Sequence, residues 1–495
     1  MPLKTFLQKQ LRNPDSVILL LAAGFLIRLL FMCFLAEPYF GRKDIHVDGD
    51  TFAFAWSFQN LIETGEYTVN PSKEYGYFGR MPGYPFFIGL FYLLSGQDWN
   101  SAFRIIAWVQ LFLDLCTGWL LYLTAMKLWK HKPAALIVLL LYMCYPFAIV
   151  WTPVVYAESL GIFLTVLAFY FYVRLERPYH PVWCGLTLGL GILVRPQAFL
   201  LLAAFILMLP FAKSLHPWHW LKKALLILLP ALLLYAAWPL RNWINHGKPV
   251  LTQDLRAFYN WDIDVLAFMQ YMFSVKSGWE PQYSALIRNE KVTFPPESYR
   301  NREDSLMLEK AVSLARECGS GFSHKKGYWK APFDEPNCNR EVKALFDTLR
   351  QNQIRYNPWN FYVKVPLKNL QKALFKTSLT DNAGFIRKLA SLLFIYRTVL
   401  ILAGLMALFI IWFRKKLRQG PALAILVYAV LLYLLLCAGT AEQMRNIEMR
   451  YFVPADVLLL LPAAFLLGFP KDRQYARKEG NAGDTVADQG SEIGG

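Results

Sequence analysis

Charged residues are scarce in this chain, 18% of 495 positions, against about a quarter in ordinary soluble proteins. With 56% hydrophobic residues, that shortage excludes a soluble globular class and leaves a polytopic membrane protein. Acids are the scarcer sign, 35 against 52 lysines and arginines, for a formal net charge of +17. Most of the surplus lies in short tracts between apolar segments, the positive-inside pattern of membrane proteins, so nucleic acid is not an expected partner. Histidines number seven, and none stands at metal-ligand spacing from His46, which argues against a histidine-rich zinc site. No Gly-rich phosphate loop follows a strand, no Gly-x-Ser-x-Gly elbow occurs, and no solenoid period repeats. Of seven cysteines, five (Cys33, Cys116, Cys144, Cys184, Cys437) fall in apolar segments and read as small core residues. Cys318 and Cys338 share a hydrophilic loop, and if that loop lies outside the cytoplasm a disulfide joins them.

What is abundant is apolar length. A bilayer core about 30 Å thick needs roughly 20 apolar residues per helix. Hydropathy and its breaks give ten expected spans: 16–37, 102–126, 133–151, 155–173, 181–195, 197–212, 222–239, 390–413, 421–439 and 452–469. The fifth and sixth are short and divided by Arg195-Pro196, the pattern of a hairpin that does not fully cross. The first span, preceded by Lys4, Lys9 and Arg12, reads as a retained helix, because only a weak small-residue cleavage site follows it.

Lysine and arginine gather in alternate loops: Lys127/Lys130/Lys132, Arg174/Arg177, Lys213/Lys222/Lys223, Arg414/Lys415/Lys416/Arg418 and Lys471/Arg473/Arg477/Lys478. Ten spans place all of these with the two termini in the cytoplasm. Loops 38–101, 152–154, 240–389 and 440–451 then share the outer face of the cell membrane. The domains expected are an N-terminal membrane module (1–239) containing loop 38–101, an extracytoplasmic unit (240–389), C-terminal membrane helices (390–469), and a polar, disordered cytoplasmic tail (470–495). The 240–389 segment is too long for a connector. Arg302–Arg316 and Arg340–Gln351 carry apolar residues at helical spacing, and 360–375 alternates apolar and basic residues in a way that suits the membrane interface.

The stretch 42–85 organises the chemistry. Asp48 and Asp50 flank Gly49 and open an apolar-aromatic helix, and Arg80-Met-Pro-Gly-Tyr-Pro85 opens another. A carboxylate just outside a membrane helix can deprotonate a hydroxyl or bind a metal, and either aspartate can also cap a helix beginning near Thr51. Glu158 follows the 152–154 turn, and an acid in an apolar helix marks a site by default. Asp114 is deeper and reads as structural, paired with a buried base such as Arg28. Arg80, Arg104, Arg195, Arg241 and Arg450 fall at outer ends of spans or in adjoining loops. Each alone reads as helix-end pairing or snorkelling. Five against the positive-inside bias form a cationic set suited to a lipid phosphate or pyrophosphate, because a guanidinium fork donates two parallel hydrogen bonds.

These motifs, in this order, resemble the GT-C glycosyltransferases, in the branch of protein O-mannosyltransferases and the lipid A aminoarabinose transferase (glycosyltransferase family 39 and bacterial relatives). The residues carrying the resemblance are Asp50 with Gly65-Glu66-Tyr67, Arg80-x-Pro-Gly-Tyr-Pro85, Gly191-Ile-Leu-Val-Arg195-Pro196, Trp238-Pro-Leu-Arg241-Asn242 with Gly247-Lys-Pro-Val250, and Arg450-Tyr-Phe-Val-Pro454. The resemblance implies an all-α GT-C-like bundle with juxtamembrane helices on the outer face and a small, mainly helical extracytoplasmic domain. It implies an inverting transferase that takes a sugar from a polyprenyl phosphate, rather than from a nucleotide, to a glycan, lipid or protein acceptor. The first-loop aspartate maps to Asp50, with Asp48 the alternative, the second acid to Glu158, and the phosphate-holding arginines to Arg80, Arg241 and Arg450, with Arg195 beside them. No cofactor is required on this reading, and a divalent ion at Asp48, Asp50 and Glu158 stays open. The first loop here reads Asp-Gly-Asp-Thr where the O-mannosyltransferases have adjacent Asp-Glu, which leaves the acceptor open. Two other classes compete: an O-antigen polymerase or ligase type, resting on later arginines and histidines, and a lipid-linked sugar transporter, which the unmatched halves disfavour.

Overall fold

In the computed structural model, residues 15–211, 217–258, 262–288, 290–322, 336–375, 385–414, 419–439 and 448–468 are described. The expected basic clusters at 1–14, 213, 415–418 and 471–478, the tail, and most of loop 440–451 lie outside them. Among the described residues every regular element is helical, as a chain of near-continuous apolar runs dictates in lipid, where a helix satisfies its own backbone groups.

Every expected apolar segment contains a helix. These are α1 (Ser16–Leu30, carried on to Phe40 through a π-helical turn), α4 (Trp99–Trp129), α5 (Lys132–Met143), α6 (Ala157–Tyr172), α7 (His180–Val194), α8 (Ala198–Met208), α9 (Pro217–His246), α15 (Phe385–Arg414), α16 (Gln419–Gly439) and α17 (Val453–Gly468). Among the described residues, four stretches are long and apolar enough to cross a membrane by length and composition: Ser16–Phe40, Trp99–Trp129, Trp218–His246 and Lys388–Phe413. The protein is thus a membrane protein with shorter apolar helices packed among longer ones. Segment 133–151 shows the reason. Its helix stops at Met143 and resumes only as the four-residue turn Pro146–Ile149, because a proline cannot donate to the helix ladder and disfavours helix in the residue before it. The break at Arg195-Pro196 separates α7 from α8 as expected, and α9 runs past the expected 239 boundary to His246.

Small residues set how closely the helices approach. Gly185 and Gly189 face α9, where a Cβ would lie 2.2 Å from the Ile227 carbonyl oxygen and 2.9 Å from that of Ala231. This is the small-xxx-small packing that draws membrane helices together. Among the described residues, two fully buried ion pairs join helices of the bundle. Arg28 pairs with Asp114, as expected, and Tyr142 donates to the same carboxylate. Arg397 on α15 reaches Asp456 on α17 at 2.7–2.8 Å, with Tyr145 and Tyr433 donating to it.

The loop elements are α2 (Gly49–Thr64) and α3 (Gly83–Leu94), then α10 (Ile263–Val275), α11 (Glu280–Ile287), α12 (Arg302–Cys318), α13 (Pro336–Tyr356) and α14 (Val365–Phe375). The set α10–α13 encloses its own apolar cluster of Phe268, Tyr271, Met272, Leu308, Phe346 and Leu349, separate from the bundle core. On α12 the buried positions are Asp304, Leu308, Ala311 and Ala315, while Leu306 points outward at 56% exposure. Cys318 and Cys338 are joined, so α12 is tied to α13. A Lys73–Asp262 ion pair of 3.0 Å connects this group to loop 65–79.

Candidate active site

The first loop is stitched to the 152–156 turn mainly through main-chain groups. His46 Nδ1 lies 2.9 Å from the Pro153 carbonyl oxygen, Val155 N–H donates to the His46 carbonyl, and Thr51 Oγ1 donates to the Val155 carbonyl. Below this seam Tyr84 donates to Gln110, whose amide donates in turn to the carbonyls of Thr152 and Val154. The turn that leads into Glu158 is thereby held against the helix that begins at Gly49.

Either aspartate was a candidate cap for a helix beginning near Thr51. The helix begins two residues earlier, and the cap falls on Asp48. Its carboxylate accepts from Gly49 N–H, its own N–H donates to Thr51 Oγ1, and Arg42 pairs with it at 2.8 Å. Asp48 is therefore spent on the helix start. Asp50 stands in the first turn and faces elsewhere. Arg80 Nη2 donates to Oδ1 at 2.6 Å, Arg450 Nη2 donates to Oδ2 at 2.9 Å, and the Tyr156 hydroxyl accepts the Asp50 backbone N–H. Burial pushes the Asp50 carboxyl up, and the two guanidiniums more than reverse this, lowering its pKa to about 2.

Glu158, almost fully buried in the first turn of α6, pairs with Arg195 Nη1 at 2.9 Å and with Arg450 Nη1 at 3.4 Å. Residues 50, 80, 158, 195 and 450 converge from five segments on one cleft. Phe54, Met81, Pro196, Gln197, Gln253 and Tyr451 complete the wall, and the open space is about 560 Å³. Aromatic faces back the cations, with the Arg80 guanidinium 4.7 Å from the Phe54 ring centre and that of Arg450 5.0 Å from Tyr156. Gly83 brings the two sides together: a Cβ there would lie 2.5 Å from the Leu193 carbonyl carbon, so α3 rests directly on the end of α7, just before Arg195.

Arg241 is not among the convergent set. Its guanidinium donates to the carbonyls of Tyr67 and Tyr77 at 2.7 and 3.0 Å and to Asn242 Oδ1, fastening loop 65–79 to the end of α9. Arg104 is exposed on α4, away from the cleft lining. Asp48, Asp50 and Glu158 do not form a metal-ligand set, since Asp48 turns to Arg42 while the other two face arginines. No group of three metal-ligating side chains gathers among the described residues. Glu448 was missed by sequence reasoning, although its Oε2 lies 2.5 Å from Arg450 Nε. The available signal was an acid two residues before an arginine at the start of an apolar helix.

The fold and the cleft together define an all-helical membrane protein with a carboxylate–guanidinium centre at one end of its bundle. Residues 80–250 match the model of the dolichyl-phosphate-mannose-protein mannosyltransferase family. The expected resemblance is thus found over the segment that carries Arg80, Glu158, Arg195 and Arg241. No curated protein matches the chain significantly. Among solved structures, the chain is similar to the oligosaccharyltransferase AglB of Archaeoglobus fulgidus in complex with an inhibitory peptide and dolichol-phosphate (14% identity, 94% of this chain and 52% of that one, TM-score 0.49). It is also similar to ArnT of Cupriavidus metallidurans bound to undecaprenyl phosphate (14% identity, 92% of this chain and 78% of that one, TM-score 0.34). The chain spans about half the length of the archaeal oligosaccharyltransferase, 50% in the form tethered to an acceptor peptide.

Proposed function

We propose that the protein is an inverting glycosyltransferase that moves a sugar from a polyprenyl-phosphate donor to an acceptor hydroxyl or amine at the outer face of the cell membrane. The observation that carries this reading is Asp50 held between Arg80 and Arg450 in a cleft shared with Glu158 and Arg195. The family match over 80–250 supports it. The acceptor atom attacks the anomeric carbon from the face opposite the phosphate. The carbon–oxygen bond to phosphate breaks, and the lipid phosphate leaves with the electron pair. Asp50 takes the acceptor proton or orients the acceptor, and Arg80, Arg195 and Arg450 offer the guanidinium donors that neutralise the leaving group. Glu158 fixes Arg195 and Arg450 in place. In this scheme Arg241 acts through loop 65–79 and does not touch the donor.

The test is transfer from polyprenyl-phosphate sugars by membranes carrying matched folded amounts of wild type and Asp50→Asn. Loss of about 10²-fold or more is expected if general-base chemistry is removed. Unchanged transfer by Asp50→Asn would discard the assignment of Asp50, and an intact donor with wild type across several sugars would discard the reaction.

A further inference from the structure

Glu448 plays no part in that scheme, yet it forms the shortest ion pair that Arg450 makes. The Arg450 guanidinium faces three carboxylates from three segments: Glu448 on Nε at 2.5 Å, Asp50 on Nη2 at 2.9 Å and Glu158 on Nη1 at 3.4 Å. A phosphate prefers two parallel donors on one edge of the fork. Here the Nε–Nη2 edge is divided between Glu448 and Asp50, and the Nη1–Nη2 edge between Glu158 and Asp50. A carboxylate oxygen stands against each edge, but only Asp50 accepts a well-directed hydrogen bond, and the Nε–H finds no aligned acceptor in Glu448. A phosphate can take both donors of one edge only as a carboxylate moves aside.

The three acids are not equally free to go. Glu158 is 4% exposed at its side chain and also pairs with Arg195, and Asp50 is 26% exposed and also pairs with Arg80. Glu448 is 41% exposed, and Arg450 is its side chain's one ion-pair partner among the described residues. Water can take up the released Glu448 carboxylate at small cost, whereas an unpaired Glu158 would be stranded in a dry site.

We infer that Glu448 is a positioning residue that occupies Arg450 in place of the donor phosphate, yields when the phosphate docks, and returns as the lipid phosphate departs. The inference rests on the donor reading given above. It assigns Glu448 the task of setting phosphate affinity and speeding product release, because a carboxylate tethered two residues from Arg450 competes at every turnover.

The test uses the full chain purified in detergent and titrated with a short-chain polyprenyl monophosphate that carries no sugar. Intrinsic tryptophan fluorescence reads binding by wild type, Glu448→Gln, Glu448→Asp and Arg450→Gln. Glu448→Gln should bind about three- to fivefold more tightly, the effect of removing one part-exposed ionic competitor. Glu448→Asp should return toward wild type. In turnover, Glu448→Gln should lower the donor KM and leave kcat unchanged or reduced by slower release. Should glutamine prevent folding, Glu448→Ser carries the same expectation. A merely structural role predicts equal or weaker binding by a folded variant, and that result overturns the inference while leaving the donor reading standing. If wild type and Arg450→Gln alike show no saturable binding, the donor reading fails and the inference falls with it.

Discussion

Asp50 is a carboxylate flanked by two cations, and its protonation follows from that contact. Its pKa is lowered from 3.8 to about 2 in the folded protein. A depressed carboxyl pKa contributes stability that is fully present above the unfolded value and is lost as pH falls through the folded one. Wild type should therefore exceed Asp50→Asn in stability by a constant margin of roughly 2 kcal/mol above pH 4, narrowing as pH falls from about 4 toward 2. Thermal midpoints of the two proteins in detergent at stepped pH values check this. A margin that already narrows between pH 7 and 5 would mean that the arginines do not hold Asp50 as described. Sequence made Asp50, Glu158, Arg80, Arg195 and Arg450 legible for one reason: each is an ionisable group at the edge of an apolar segment, where a charge needs a partner. Arg241 satisfied the same criterion and went elsewhere, since backbone carbonyls at a helix end satisfy a guanidinium as well as a phosphate does. Arg397 and Asp456 were hidden inside runs read as uniformly apolar, although one base and one acid in neighbouring helices is itself a pairing signal.

At the level of elements, the contact between α3 and α7 decides whether Arg80 and Arg195 face the same space. Gly83 and Gly49 make a controlled comparison, because both start helices beside the cleft. A Cβ on Gly49 meets nothing within 4 Å, whereas one on Gly83 runs into the Leu193 main chain. Gly49→Ala should change stability by less than about 1 kcal/mol, while Gly83→Ala should cost about 1–3 kcal/mol as overpacking against backbone. Gly83→Ala should also depress transfer out of proportion to its folded amount, which thermal shift and a normalised activity assay can separate. The helices were legible as apolar runs, but their lengths were not. Hydropathy treats 133–151 as one span, and proline chemistry at Pro146 ends its helix after twelve residues. The start of α2 was misplaced by two residues for a similar local reason: the Asp48–Thr51 capping box sets the first turn, and apolar periodicity does not register it.

For the molecule as a whole, the bundle and the α10–α13 group are stabilised in different ways. The bundle relies on close helix contacts and two buried ion pairs, while the smaller group has its own apolar cluster and a covalent tie between Cys318 and Cys338. Reduction should therefore loosen one part selectively. The expected loss is about 2–4 kcal/mol in the local stability of α12 and α13, with the protection of α4, α6 and α7 unchanged. Hydrogen exchange with and without reductant reads both in one experiment, and equal loss in the two parts would contradict this division.

The seam between the first loop and residues 152–156 carries one more consequence. On the 153–155 side it uses the carbonyls of Pro153 and Val155 and the Val155 N–H, facing His46 Nδ1, Thr51 Oγ1 and the His46 carbonyl on the other, so residues 153–155 contribute main-chain groups alone. Hydrogen bonding therefore leaves the letters at 153–155 open, and burial restricts them to apolar side chains of similar size, because Val154 and Val155 are fully buried. A library at Val154 should yield active clones with volume-conserving apolar residues and few with polar ones, whereas inserting or deleting a single residue there would slide Glu158 out of step with Asp50. This turn works as a spacer gauge, encoded in length and packing.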